Sequence, residues 1–227
     1  MKRLLRSACM LVVSALLLAC AAKKTVPDWK VEAQSASHRA VKAYLEGRQQ
    51  VADVEWAKAF QEVAATGQPA AMARMALLQC ATQTAALELN TCPRFARYAQ
   101  GAAPAEQAYA RYLQAQHTQV DVPHLPAPQQ TVALQLLSNN LAALPQAEPL
   151  SALTAAGVAL RAGAINRGQV EHAIDIASEQ GWRRAAMAWV LVAQRMAHET
   201  GDTASAQALA LRLQVLQEGG ASGKSKK

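Results

Sequence analysis

Apolar residues recur along most of this chain at intervals of three and four residues, the spacing that places them on one face of an α-helix. One clear stripe lies within residues 50–66 and comprises Ala52, Trp56, Ala59, Phe60 and Val63. No stretch alternates between apolar and polar residues with the period of two that a half-buried β-strand shows. Alanine, the strongest helix former, supplies 52 of the 227 residues. The pattern predicts an all-α fold.

Turn and capping residues divide this pattern into separate helices. Asp28 fits a helix start, Gly47 fits the end of that helix, and Pro69 fits the first turn of a later one. The segment 69–89 is apolar on two sides, so we expect it to be a central helix. The predicted helices cover residues 28–47, 50–66, 69–89, 93–100, 104–116, 129–139, 149–162, 169–180, 183–200 and 203–217.

A proline-rich segment interrupts the helices at residues 118–128. Because the residue before a proline favours extended backbone, we interpret this segment as a linker or a long surface loop. It separates an N-terminal helical half, residues 28–117, from a C-terminal helical half, residues 129–217. Residues 218–227 have little to bury, so we expect a disordered basic tail.

The first nineteen residues follow a different pattern. Lys2, Arg3 and Arg6 precede an uncharged apolar run from Ser7 to Ala19. A helix of that length measures roughly 20 Å, which is shorter than the ~30 Å hydrocarbon core of a bilayer. A basic start followed by a short apolar run is typical of a secretory signal rather than of a membrane-spanning helix.

The residues Leu17-Leu18-Ala19-Cys20 resemble the lipobox of bacterial lipoproteins. The resemblance implies that residues 1–19 are removed, that Cys20 becomes the acylated N-terminus, and that residues 20–27 form a lipidated tether. More than one acyl chain gives stable membrane attachment. Ala21 stands where lipoproteins retained in the inner membrane commonly have aspartate, which implies the outer membrane, facing the periplasm. The alternatives are an ordinary signal peptide with a chance cysteine, or an uncleaved anchor.

The net charge of +7 is concentrated at the two ends of the chain. Three cations would leave with the signal, and five more flank the body as Lys23, Lys24, Lys224, Lys226 and Lys227, which leaves −1 for the body. No basic face with interleaved aromatic residues is present, so nucleic acid is not an expected partner.

Two cysteines remain after Cys9 leaves with the signal and Cys20 is acylated. Cys80 and Cys92 form an even pair in an oxidising compartment, which favours a disulfide. The alternative is two unpaired buried thiols.

Two further resemblances concern the helical body. The segments that begin at Gly168 and Gly201 resemble the second-helix start of a tetratricopeptide repeat, whose period is 34. Ala164 and Ala197 depart from the family at positions where a large aromatic residue is usual. A generic stack of antiparallel helices is the alternative, and both imply stacked helix hairpins. Residues 28–48 also look similar to lipoproteins of proteobacteria, which implies a location but no activity.

No motif nominates a catalytic residue, a cofactor site or a metal site. His117, Asp121 and His124 carry metal-ligand chemistry, but they lie in or beside the proline-rich segment without a helical spacing to hold them. We therefore expect these side chains to be solvated rather than metal-binding.

Trp182 and Trp189 share a helix stripe, which is usually a core arrangement. The alternative is an interface anchor composed of Trp182, Arg183 and Trp189, since tryptophan and arginine are enriched at binding hot spots.

These features predict a non-catalytic, lipid-anchored adaptor or scaffold of the cell envelope. Its expected partners are the membrane, through the lipid, and an envelope protein. One alternative is an enzyme that acts on the cell wall, or its regulator, which would need an acid deep in a large cleft. Another is a carrier of a small ligand, which would need an apolar cavity of several hundred Å³.

Overall fold

The structure, a computed structural model, describes residues 26–139, 141–145 and 147–221. Within these residues the regular secondary structure is entirely helical, which confirms the predicted all-α fold. The described part of the chain contains ten α-helices and two short 3₁₀ helices, Ala99–Gly101 and Val122–His124. The α-helices are α1 (Asp28–Leu45), α2 (Gln49–Ala64), α3 (Pro69–Ala85), α4 (Pro93–Ala96), α5 (Pro104–Leu113), α6 (Ala127–Leu137), α7 (Pro149–Arg161), α8 (Arg167–Glu179), α9 (Arg183–Glu199) and α10 (Thr203–Ala221).

Most helix boundaries lie within a few residues of their predicted positions, because prolines and glycines mark them. Gly47 has φ +83° and so provides the left-handed residue that ends α1. Helix α8 begins two residues earlier than predicted because Asn166 and Gln169 form a reciprocal capping box. Helix α10 continues to Ala221, so residues 218–221 are helical and not disordered as predicted. The predicted signal, Cys20 and residues 222–227 lie outside the described residues.

Helix α3 is the central element, as its two apolar sides predicted. It packs against α1 and α2 of the predicted N-terminal half, against α5, and against α7 of the C-terminal half. The main hydrophobic core includes buried residues from both predicted halves, for example Leu45, Leu77, Leu153 and Trp189. The two halves therefore share one core.

The proline-rich segment 118–128 is a packed surface loop. Asp121, Val122 and Leu125 are buried in it. Arg111 of α5 donates hydrogen bonds to the Asp121 carboxylate, with its Nε 3.0 Å from Oδ2. The Thr118 backbone N–H donates to the same oxygen at 2.9 Å. The loop is thereby fastened to the end of α5.

Helices α3 and α7 approach each other closely at Gly157. A Cβ atom at this position would lie 2.4 Å from the Thr84 carbonyl oxygen and 2.8 Å from the Thr84 methyl group. One turn earlier, the Thr154 hydroxyl lies 3.2 Å from the Ala81 carbonyl oxygen. The absence of a side chain at residue 157 is what permits this helix pair.

The last three helices form consecutive hairpins, with α8 against α9 and α9 against α10. The two glycines of the proposed repeat occupy different places in them. Gly168 is the second residue of α8, whereas Gly201 precedes Asp202, whose carboxylate accepts from the Ser205 N–H at the start of α10.

Cys80 and Cys92 are paired, as predicted, with Cα atoms 5.4 Å apart. Helix α3 ends at Ala85 and not near Leu89, because Leu87 adopts a left-handed conformation with φ +60°. The Asn90 side chain accepts from the Cys92 N–H at 2.8 Å. The disulfide thus closes a short loop that joins the end of α3 to α4.

Among the described residues, none of the helices is both long enough and apolar enough to cross a bilayer.

Candidate functional site: a groove centred on Leu78

Three adjoining cavities lie along α3, and Leu78 lines all of them. The first also shares Leu150 and Glu148 with the second, and the second shares His38 with the third. All three are open clefts, with volumes of about 530, 470 and 700 Å³, and each lies in the size range of ligand pockets. We call the combined surface the groove.

The first cavity lies between α3, α5, the start of α7 and the loop before α6. Its apolar lining comprises Leu77, Leu78, Ala81, Ala105, Leu125, Pro126 and Leu150. Its polar lining comprises Arg74, Glu106, Tyr109, His124, Gln129, Glu148, Ser151 and Thr154. This combination of an apolar surface and a few polar groups is typical of a binding site.

The polar groups at the base of the first cavity are held by hydrogen bonds to one another. The Gln129 amide donates to the Ser151 hydroxyl at 2.7 Å and lies 3.0 Å from the Ser151 carbonyl oxygen. The buried Tyr112 hydroxyl donates to the Gln129 carbonyl oxygen. Gln129 is 1% exposed, so this network fixes α6 against α5 and α7 rather than contacting solvent.

Glu106 is the buried acid of the first cavity. It is 8% exposed, and its Oε1 accepts a hydrogen bond from Arg74 at 3.1 Å. Its Oε2 is buried and has no hydrogen-bond partner among the described residues. Buried carboxylate oxygens are normally hydrogen-bonded, so Oε2 is an acceptor with unused capacity.

Tyr109 and Glu148 form the rim of the same cavity. Glu148 caps α7, accepting from the Ser151 N–H at 3.0 Å and the Leu150 N–H at 3.2 Å. Burial raises the pKa of the Tyr109 phenol well above its usual value, and the nearby Glu148 carboxylate raises that pKa further. Tyr109 therefore stays protonated and offers a donor beside two carboxylates.

The charges of the groove differ between its two ends. The third cavity is bordered by Lys30 and by Arg74, which also borders the first cavity and is paired with Glu106, and none of the described acids lines this third cavity. The first cavity is bordered by two carboxylates, Glu106 and Glu148, against the single cation Arg74. The groove is therefore cationic where it meets α1 and anionic where it meets α5 and α7.

The interface anchor of Trp182, Arg183 and Trp189, which was the alternative to a core arrangement, is not assembled as one surface. Trp189 is fully buried, and its indole N–H donates to the Ala85 carbonyl oxygen at 3.0 Å, so it is a core residue and not an interface anchor. Trp182 is half-buried and lines the second cavity. Arg183 is half-buried, and its guanidinium lies close to Gly47 and Gly220.

The three side chains with metal-ligand chemistry, His117, Asp121 and His124, have separate environments. The prediction that they are solvated is wrong for Asp121, which pairs with Arg111, and for His117, which is 7% exposed and has its Nε2 3.0 Å from the Ala133 carbonyl oxygen. His124 is exposed and lines the first cavity.

The groove was not predicted from the sequence. Leu78 lies in the segment 69–89 that was expected to be a central helix, and Arg74, Glu106 and Glu148 were not predicted as site residues. A charged residue within an apolar helix stripe was the available signal: Glu106 is followed by Tyr109 and Leu113, which are three and seven residues later on α5. That signal alone does not distinguish a buried acid from a solvated one.

Comparison of the chain with protein-family models, with curated proteins and with solved structures finds no match in any of the three.

Proposed function

We propose that this protein is a non-catalytic adaptor, anchored by an acylated Cys20 in the outer membrane and facing the periplasm, that binds a segment of an envelope protein in the groove. The observation that carries the proposal is the meeting of three open, largely apolar cavities at Leu78. Stacked helices use such extended concave surfaces to bind partners.

The position of the groove fits a membrane-tethered adaptor. Pro27 and Trp29 border the third cavity, at the start of the described chain. Six residues lie between Cys20 and Pro27, and the seven residue-to-residue steps of a fully extended tether span at most about 25 Å. A lipid on Cys20 would hold the cationic end of the groove near the membrane surface, where envelope proteins are accessible.

The alternative of a cell-wall enzyme draws on one observation, that Glu106 and Glu148 both border the first cavity. Glycoside hydrolysis uses a pair of carboxyl groups that face the scissile bond. Here Glu148 uses both oxygens to cap α7, and Glu106 is paired with Arg74. The adaptor is the better-supported function because these contacts already engage both oxygens of Glu148 and one oxygen of Glu106, which leaves only Oε2 of Glu106 without a partner.

Site-specific photocrosslinking in cells tests the adaptor function. A photoreactive amino acid replaces Leu78 in the groove or, as the matched control, Val54, which is 68% exposed on α2 and lines none of the three cavities. We expect position 78 to crosslink to a defined segment of an envelope protein and position 54 not to do so. Equal yields at the two positions, or no adduct from position 78, would contradict a partner-binding groove.

Two further measurements separate the other parts of the proposal. Metabolic labelling with a fatty acid should mark the wild-type protein and not the Cys20→Ala variant; label retained in the variant would refute acylation at Cys20. Hydrolysis of purified peptidoglycan by the wild-type protein, abolished in Glu106→Gln, would favour the enzyme over the adaptor.

A further inference from the structure

We infer that the segment bound in the groove is apolar in its middle and charged at both ends, with a lysine or arginine at the end formed by α5 and α7 and an aspartate or glutamate at the end formed by α1. This inference rests on the proposed function and specifies the chemistry of the partner at that site. It also fixes the direction in which the bound segment runs along the groove.

The anionic end is built from Glu106 and Glu148. Among the described residues, Arg74 is the only lysine or arginine that borders the first cavity, and it engages only one of the two oxygens of Glu106. Two carboxylates and one guanidinium thus border this cavity, and the buried Oε2 atom of Glu106 has no donor among the described residues. An ammonium or guanidinium group brought by a partner supplies both the missing charge and the missing donor.

The cationic end is built from α1. Lys30 forms no salt bridge within the described residues, and Lys42 has only a distant one, 3.9 Å from Glu46. Both side chains are exposed, Lys30 at the third cavity and Lys42 at the second. A carboxylate on the partner therefore finds two cations that are not strongly engaged elsewhere.

The middle of the groove is apolar, and the two strong charges that border it belong to its two ends, Lys42 to α1 and Glu148 to the start of α7. Leu78, Leu150 and Trp182 are half-buried there, and Val41 lies at its base. Apolar side chains of a partner gain from leaving water at this point, whereas charged ones gain nothing. The order of charges along the groove thus selects the order of residues along the partner.

Peptide selection on the full-length, detergent-solubilised protein tests this inference. Random linear peptides are displayed on phage and selected for binding. We expect the enriched peptides to share an apolar centre with a basic residue at one end and an acidic residue at the other. Replacing the basic residue of an enriched peptide by norleucine should weaken its binding at least about tenfold, an effect that added salt reduces.

Variants of the protein locate the charges. Glu106→Gln should remove the preference for the basic residue, so that the peptide and its norleucine analogue bind this variant equally. Glu171→Gln, at an exposed position on α8 outside the three cavities, is the matched control and should retain the preference. If Glu106→Gln fails to fold, the norleucine comparison on the wild-type protein still measures the same interaction. A photocrosslinker beside the basic residue should label α5 or α7, and one beside the acidic residue should label α1.

The outcomes separate this inference from the proposed function. Enriched peptides that crosslink within the groove but share no charge order, or that lie in the opposite direction, would overturn the inference and leave the groove as a binding site. If no peptide is enriched and position 78 gives no crosslink in cells, both fail. Tighter peptide binding after deletion of residues 222–227 would identify the basic tail of this chain as the occupant and overturn a separate partner.

Discussion

Replacing Gly157 by alanine tests whether the contact between α3 and α7 holds the two halves of the chain together. The added Cβ would lie 2.4 Å from the carbonyl oxygen of Thr84, whereas an ordinary contact of this kind begins near 3.4 Å. The obstacle is backbone and cannot rotate away. The two helices must therefore separate by about 1 Å, which is large for a close-packed core.

The expected cost follows from two opposing effects. Overpacking a well-packed core costs up to about 3 kcal/mol, and the immovable Thr84 backbone puts this site at that upper end. Alanine in place of glycine inside a helix stabilises the helix by about 1 kcal/mol, which offsets part of this cost. The net loss of about 2 kcal/mol corresponds to a melting temperature lowered by about 4–8 °C for a chain of this size.

Thermal unfolding followed by circular dichroism measures the effect. Gly168→Ala is the matched control, because its Cβ would meet only the Asn166 side chain, at an ordinary 3.6 Å. We expect that variant to be unchanged or slightly more stable. A Gly157→Ala protein as stable as the wild type would refute the close α3–α7 contact.

Three other predictions concern stability. Reduction of the disulfide, or the double variant Cys80→Ala/Cys92→Ala, should lower the free energy of unfolding by about 3 kcal/mol, since it releases a closed loop of about 13 residues; denaturant titration with and without reductant measures this. Trp189→Phe should cost about 1–3 kcal/mol, because the buried Ala85 carbonyl loses its donor. The Arg111 guanidinium holds the pKa of the Asp121 carboxyl well below its usual value of about 3.9. Because the folded-state pKa is the lower one, this stabilisation is present above about pH 4 and is lost as the pH falls further; Asp121→Asn should cost about 2 kcal/mol at neutral pH and less in acid.

Each of these predictions has an outcome that would contradict it. Equal stability with and without reductant would mean that the disulfide does not constrain the unfolded chain. An unchanged Trp189→Phe variant would show that the indole N–H is not bonded in the core. If the difference in free energy of unfolding between Asp121→Asn and the wild type stayed constant from neutral to acid pH, the Arg111–Asp121 pair would not be the source of that difference.

The helices themselves were predictable because their signals are local. Apolar spacing, first-turn prolines such as Pro69 and stop glycines such as Gly47 act within one or two turns of the chain. Errors arose at helix ends: the Asn166–Gln169 capping box starts α8 early, and the left-handed backbone of Leu87 ends α3 early. The pairing of Cys80 with Cys92 was predictable from their number and the expected compartment.

The groove was not predictable, because its residues come from helices far apart in the sequence. Leu78 follows an apolar stripe that any core residue would follow, and only the packing of α1, α5 and α7 around α3 leaves it at the meeting point of three cavities. Glu106 is one of many scattered acids in the sequence. Its burial beside Arg74, 32 residues away, depends on how α5 lies against α3.

The sequence by itself determined the helical fold, the disulfide pair and the expectation of a lipid on Cys20, since each depends on neighbouring residues or on residue count. The tertiary structure decided which apolar residues are core and which line a surface: it placed Trp189 in the core and left Leu78 half-exposed. The physical reason is that a helix stripe records only which side of a helix avoids water. Whether that side is covered completely is decided by the helices that pack against it.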